Sequence, residues 1–164
     1  MLITCTSYTT ALPDLSEIQE KITQWVSDEK WPHDTVDDPK FHFLYKVVID
    51  GQNAVFVGME KGIDRITIHY LSTMHPDLQN SYKLSPKEHK HDFWYDLKVK
   101  LLVLDVGIMA IPNVDELHKI DILHMIYLDA FSRDRFIRST IRVIDAAAIF
   151  HYMWKNFVES HGRV

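Results

Sequence analysis

The 164-residue chain has little cysteine and little glycine. Its one cysteine, Cys5, cannot form an internal disulfide, which favours a reducing compartment. The two glycines of "GMEKGID" have the wrong spacing for a phosphate-binding loop, and no Ser or Thr follows the lysine. The longest apolar run, "VKLLVLDVGIMAIP", contains Lys100 and Asp105 and falls short of the roughly 20 residues that cross a bilayer.

Several functional signatures are also missing. The N-terminus lacks the basic start and the apolar region of a secretory signal, and no His-Glu-x-x-His, Cys-x-x-Cys or Gly-x-Ser-x-Gly motif occurs. The formal net charge of −5 disfavours binding along a phosphate backbone, which calls for a basic face. We therefore expect a soluble, cytoplasmic protein with no cofactor, no catalytic residues and no membrane contact, for which nucleic acid is an unlikely partner.

Apolar residues at helical spacing predict helices near both ends of the chain. From Leu15 to Val26 they follow a helical period, Asp14 stands at the N-cap position, and Pro32 ends the pattern. Ser132 caps a second segment with a wide apolar face, "RDRFIRSTIRVIDAAAIFHYMWKNFVES". Each helix should bury its apolar face against the rest of the fold.

The middle of the chain changes to a period of two, which is typical of strands. Residues 41–71 predict a three-stranded antiparallel meander, and residues 106–114 and 118–131 predict two further strands. "PHDTVDDPK" is expected to be a polar loop and residues 72–84 a polar connection. With a helix before the last two strands, the order α-β-β-β-α-β-β-α predicts one α+β domain over residues 1–164, an antiparallel sheet packed by helices.

The stretch "LSPKEHKHDFWYDLKVKLL" could be a metal site, because of His89 and His91, or the start of a helix. Three residues match the N-cap, first and third positions of a helix: Ser85, Pro86 and Glu88. On a helix the two histidines lie about 200° apart and cannot chelate one ion. We therefore predict a helix over residues 85–104 and no metal site.

This order of elements, with "MIYLDAFSRDRFIRSTIRVIDAA" leading into the last helix, resembles the type III secretion chaperone-like fold, most of all its uncharacterised archaeal family. The sequence resemblance is concentrated between Ile126 and Ala148. Proteins of this superfamily are small, acidic, usually dimeric and bind other polypeptides. The resemblance therefore implies a non-catalytic protein-binding or chaperone-like module that acts as a homodimer, with an unknown protein or peptide partner.

The second predicted helix is apolar on nearly all sides. Phe93 and Leu97 belong to the stripe that should face the sheet, yet further large side chains lie outside it. They are covered either by the last helix and the 72–84 connection or by a second subunit. We predict the second subunit, with an interface formed by Trp94, Val99, Leu102 and Val103.

Three arginines, Arg135, Arg138 and Arg142, recur at i, i+3 and i+7 on the last helix. They could form a solvated, salt-bridged face in which Arg142 pairs with Asp145. Because guanidinium groups bind carboxylates and phosphates bidentately, they could instead bind an anion or an acidic peptide. We name them as the candidate anion or peptide site.

Ten histidines leave an alternative function open. His69 and His124 lie within predicted strands, where hydrogen-bonded structural histidines are common. If they lined a pocket instead, the protein could be a small enzyme or a sensor of a ligand or metal.

Overall fold

The computed structural model describes residues 14–161, which form four α-helices and six β-strands. The helices are α1 (Leu15–Asp28), α2 (Pro76–Leu84), α3 (Lys87–Leu102) and α4 (Arg133–His161). The strands are β1 (His33–Thr35), β2 (Phe41–Ile49), β3 (Asn53–Glu60), β4 (Arg65–Thr73), β5 (Gly107–Pro112) and β6 (Leu117–Tyr127). The predicted α+β class is confirmed. Cys5 lies outside the described residues.

All six strands join one antiparallel sheet with the order β1-β2-β3-β4-β6-β5. After β4 the chain passes through α2 and α3, forms β5 at the far edge, and returns as β6 between β5 and β4. One row of the register therefore crosses four strands, from Phe56 through His69 and Leu123 to Gly107. The two edges are short, with three residues in β1 and six in β5.

The helices share one hydrophobic core with one face of the sheet. Alternate residues of the central strands point into this core: Val55, Val57, Ile66, Ile68, Ile120 and Ile122. From the helices, α4 contributes Phe136, Val143 and Phe150, and Trp25 of α1 lies 5.9 Å from the Phe136 ring. Burial of each aliphatic or aromatic side chain contributes about 1.5–3 kcal/mol, so this layer supplies most of the driving force for folding.

The predicted strands are confirmed in their positions and in which alternate side chains face the core. β2, β3 and β4 form the expected meander, and β6 buries Ile120, Ile122, His124 and Ile126 as the alternation predicts. Two of the three predicted caps are confirmed: Asp14 accepts from the Ser16 backbone N–H at 3.3 Å, and Ser132 accepts from that of Arg135 at 3.3 Å. Within residues 14–161, no helix is both long and apolar enough to cross a bilayer.

The predicted polar connection over residues 72–84 is wrong, because α2 occupies most of it. His75 accepts from the Asp77 backbone N–H at 3.4 Å and Pro76 follows at the first helical turn, so the helix starts there. Ser85 ends α2 rather than starting α3: its hydroxyl donates to the Ser81 carbonyl over 3.1 Å. α3 begins after Pro86 without a side-chain cap. The predicted loop before β2 likewise contains the short strand β1.

Candidate functional site

α3 has an inner face in the core and an outer face of large apolar side chains. Phe93, Leu97 and Leu101 are buried, as predicted. Opposite them lie four exposed side chains, which we call the α3 stripe: Tyr95 (71% exposed), Val99 (47%), Leu102 (75%) and Val103 (86%). Contiguous exposed apolar surface of this kind marks interaction sites.

Trp94 does not belong to this surface, contrary to the predicted interface. It is 4% exposed, and its indole Nε1 donates to the Tyr82 hydroxyl over 2.8 Å. Tyr82 in turn donates to the Val114 carbonyl, and the ammonium of Lys90 lies 5.1 Å from the centre of its ring. Burial raises the pKa of Tyr82 to about 12. Trp94 therefore faces inward because α2 brings Tyr82 to meet it.

A groove of about 630 Å³ lies beside the α3 stripe, between the end of α3 and the second half of α4. Its lining is apolar except for one lysine: Lys100, Val103, Leu104, Ala148, Ile149, Tyr152 and Met153. Val103 belongs to both the stripe and the groove. The two features therefore form one continuous apolar surface, suited to the side chains of another polypeptide.

The three predicted arginines meet in one polar hollow of about 430 Å³, which we call the arginine hollow. The residues around it are His124, Ala130, Ser132, Asp134, Arg135, Arg138, Ser139 and Arg142. α4 places the arginines on one side because they are three and four residues apart, and β6 contributes the histidine. Grouped guanidinium groups can bind an oxyanion.

The ion pairs of the hollow differ from the predicted one. Arg142 lies 4.0 Å from Asp105, in the turn before β5, rather than pairing with Asp145. Arg138 pairs with Asp134 at 3.0 Å. Both pairs are exposed, so each contributes little to stability and leaves its guanidinium able to take another anion.

His124 reaches the hollow from the sheet. It is 6% exposed, and its Nδ1 lies 2.6 Å from the Asp105 carbonyl oxygen. Since a carbonyl only accepts, Nδ1 carries a proton and donates it to this oxygen, which leaves Nε2 to face other partners. The structure thus joins His124 to the arginines, which sequence reasoning had treated separately.

His89 and His91 lie in the first turns of α3. His89 borders a shallow hollow of about 290 Å³ with Asp92 and Asp96. Across residues 14–161, no group of three or more His, Cys, Asp or Glu side chains could hold a metal ion. The absence of bound metal stays a prediction for the purified protein.

A partly buried pair on the far face of the sheet was missed from the sequence. Nδ1 of His69 lies 3.0 Å from both carboxylate oxygens of Asp121, which is 6% exposed. Their strands are neighbours, and the residues are offset by two in the register, since His69 faces Leu123 and Asp121 faces Leu71. The sequence feature that could have revealed this pair is Asp121, an acidic residue within an otherwise apolar strand. Such a carboxylate holds the imidazole ring in a fixed orientation.

A second missed contact ties α4 to β4. The Tyr70 hydroxyl lies 2.9 Å from Nε2 of His151, with the rings edge to face. Burial lowers the pKa of His151 and raises the pKa of Tyr70, so both side chains favour their neutral forms. The contact is therefore a hydrogen bond between neutral groups that links α4 to β4.

Comparisons with known proteins identify a family and a fold. A family model described as "Uncharacterized conserved protein (DUF2299)" matches residues 18–152. The chain is similar to a solved structure of an uncharacterised protein from Methanothermobacter thermautotrophicus, with a TM-score of 0.75 and 22% identity over 84% of this chain and 96% of that chain. At this identity the similarity shows the fold alone. No curated protein matches the chain. The type III secretion chaperone-like superfamily stays a prediction.

Proposed function

This chain belongs to the DUF2299 family of uncharacterised conserved proteins, and we propose that it is a non-catalytic, chaperone-like protein-binding module that acts as a homodimer. The observation that carries the proposal is the α3 stripe with its adjoining groove. The type III secretion chaperone-like superfamily is the setting that we propose for this fold. The cytoplasm is the proposed compartment, since the single thiol of Cys5 suits a reducing environment.

The energetics of the α3 stripe support a dimer. Burying one large apolar side chain contributes about 1.5–3 kcal/mol at most, and partly exposed side chains contribute less. Two copies of a four-residue stripe still offer enough apolar surface to offset an association cost of about 4–15 kcal/mol. The exposed Tyr152 and the groove enlarge the surface that one copy offers to the other.

Charges along α3 support a second copy as the occupant. Beside the stripe, α3 exposes charges of both signs, Asp92 and Asp96 as well as Lys98 and Lys100. A two-fold interface sets the same patch of both copies face to face. A patch with both signs of charge therefore does not meet only like charges, and such exposed charges fix orientation more than they add affinity.

We place the bound client polypeptide on the opposite surface, the face of the sheet that does not contact the described helices. Its exposed apolar residues, which we call the open sheet face, are Leu71, Met109, Ile111, Met125 and Tyr127. Methionine side chains are flexible and adapt to different apolar partners. Because a dimer through α3 uses the helical side, the open sheet face remains accessible in both copies.

Light scattering coupled to size exclusion tests the dimer. Wild-type protein should have about twice the 19.3 kDa mass of one chain, and Val99→Glu should reduce it to that of one chain. Met125→Glu is the matched control, because it places the same charge on the open sheet face and should leave the dimer intact. A wild-type mass of one chain across the micromolar range would contradict the dimer.

A further inference from the structure

We infer that the arginine hollow binds a phosphate group, either free or as a phosphate monoester. This inference concerns α4 and β6 rather than the α3 stripe, so it goes beyond the proposed dimer and does not depend on it. The site would take a tetrahedral oxyanion between Arg135, Arg138 and Arg142, above His124 and Ser139.

The three arginines give the hollow a net positive charge. Arg138 and Arg142 have exposed carboxylate partners, Asp134 and Asp105, whereas Arg135 has no ion pair within residues 14–161. Three guanidinium charges against two carboxylates leave one net positive charge at the hollow. The whole chain has a net charge of −5, so this is a local reversal of sign. An anion entering the hollow would meet donors that are already held on one side of α4.

Two side chains that border the hollow, Ser139 and His124, give independent support for a bound anion. Ser139 is 1% exposed and borders the hollow, yet its hydroxyl has no hydrogen-bond partner within the described chain. His124 is 6% exposed, and its Nε2 has no partner there either, because only Nδ1 is bonded. Neither atom is sealed from water, since the sealed side-chain atoms without a partner in residues 14–161 are Arg65 Nε and Trp154 Nε1. A bound anion in the hollow would replace water at the Ser139 hydroxyl and at His124 Nε2.

The chemistry of these groups favours phosphate over carboxylate. Three guanidinium groups and a serine hydroxyl offer more donors than the two oxygens of a carboxylate can use, whereas a phosphate monoester has three terminal oxygens. When it carries no proton, Nε2 of His124 accepts a hydrogen bond, and an O–H is the matching donor. A singly protonated phosphate carries that hydrogen, and a carboxylate at neutral pH does not.

The test is a titration of 15N-labelled full-length protein with inorganic phosphate, followed by amide and imidazole NMR shifts. Acetate and a phosphate monoester such as glycerol phosphate form the other arms, all at one pH and ionic strength. We expect saturable shifts at residues 132–142 and at His124 with both phosphate compounds, and weak, unsaturated shifts with acetate. Tighter binding of the monoester than of inorganic phosphate would identify a phosphorylated ligand as the source.

Matched variants decide whether the hollow itself is responsible. Arg138→Gln and Ser139→Ala should each weaken phosphate binding about tenfold, by loss of a donor. Lys155→Gln removes the same charge farther along α4, where Lys155 pairs with Glu159, and should leave binding unchanged. Amide spectra without phosphate show whether each variant is folded.

Three results would overturn the inference. Acetate shifts equal to those of phosphate would contradict the phosphate assignment. Equal weakening by Lys155→Gln and Arg138→Gln would show general attraction of anions to α4. Shifts that never saturate would show that the hollow holds no bound anion. None of these results bears on the mass of the protein, so they are distinguishable from failure of the dimer proposal.

Discussion

Trp94 of α3 donates its indole N–H to the Tyr82 hydroxyl of α2 over 2.8 Å, inside the core. Trp154 of α4 packs nearby, 5.2 Å from the Tyr82 ring between centroids, but its buried Nε1 has no partner among the described residues. Two buried tryptophans of one cluster therefore differ in a single hydrogen bond. That difference gives a matched comparison of stability.

We predict that Trp94→Phe destabilises the protein more than Trp154→Phe. Both changes remove similar volume, but only the first removes a hydrogen bond, which contributes about 0.5–1.5 kcal/mol. The second also removes a buried donor that has lost its water, so its cavity cost is partly offset. Urea unfolding measures the difference, which we expect to be at least about 1 kcal/mol. Equal costs would contradict the assigned role of the Trp94 hydrogen bond.

Tyr82 should make the protein less stable at high pH. Burial raises its pKa to about 12 from the ordinary 10.0, with a smaller opposite effect of the Trp94 hydrogen bond. The folded state thus holds this proton more tightly than the unfolded state, so the contribution is complete below pH 10.0 and is lost as pH rises toward about 12. Tyr82→Phe should flatten this part of the stability profile, and Tyr152→Phe, at an exposed tyrosine, should not.

The pair of His69 and Asp121 should show strong coupling. His69→Leu leaves a buried carboxylate without its partner, which costs about 1–3 kcal/mol. Replacing both residues by leucine removes the unpaired group and should restore most of that loss. A double-mutant cycle from urea unfolding gives the coupling energy. Additive costs of the two single changes would show that the pair adds nothing beyond its separate parts.

Client binding and dimer formation should depend on different surfaces, so that one substitution changes the first and another changes the second. Met125→Glu should lower the affinity for an unfolded client, for which reduced α-lactalbumin is the probe, because it places a charge on the open sheet face. Val99→Glu should leave the affinity of each chain for the client nearly unchanged while it removes the dimer. Fluorescence anisotropy of labelled client measures both. If Val99→Glu removed client binding and Met125→Glu did not, the client surface would lie on α3 instead.

Strands β2 to β6 were predictable from the sequence because apolar residues recur at every second position, whereas the three-residue β1 was missed. α2 was not predictable, since residues 72–84 are mostly polar and their start is capped by His75, an unusual N-cap. The apolar pair Leu78 and Tyr82, four residues apart, was the signal that could have revealed it. Ser85 fitted a capping pattern in sequence, but the end of α2 determines where its hydroxyl points.

Sequence patterns predicted only those parts of the candidate sites whose residues lie on a single helix. The arginine spacing on α4 predicted a shared side, and the apolar excess of α3 predicted an outer face at Val99 and Leu102. Neither pattern could place His124 beside the arginines, because that contact depends on how β6 packs under α4. The inward turn of Trp94 depends in the same way on α2. Contacts between distant elements are set by packing, which local periodicity does not encode.

The short edges of the sheet limit how copies of this protein can associate. An exposed long strand edge recruits further strands without end, which leads to fibrils. Here β1 has only three residues and β5 ends at Pro112, which has no backbone N–H to offer a new strand. Addition of strands at these edges is thereby disfavoured, which leaves the two apolar surfaces as the routes by which copies of the chain would associate.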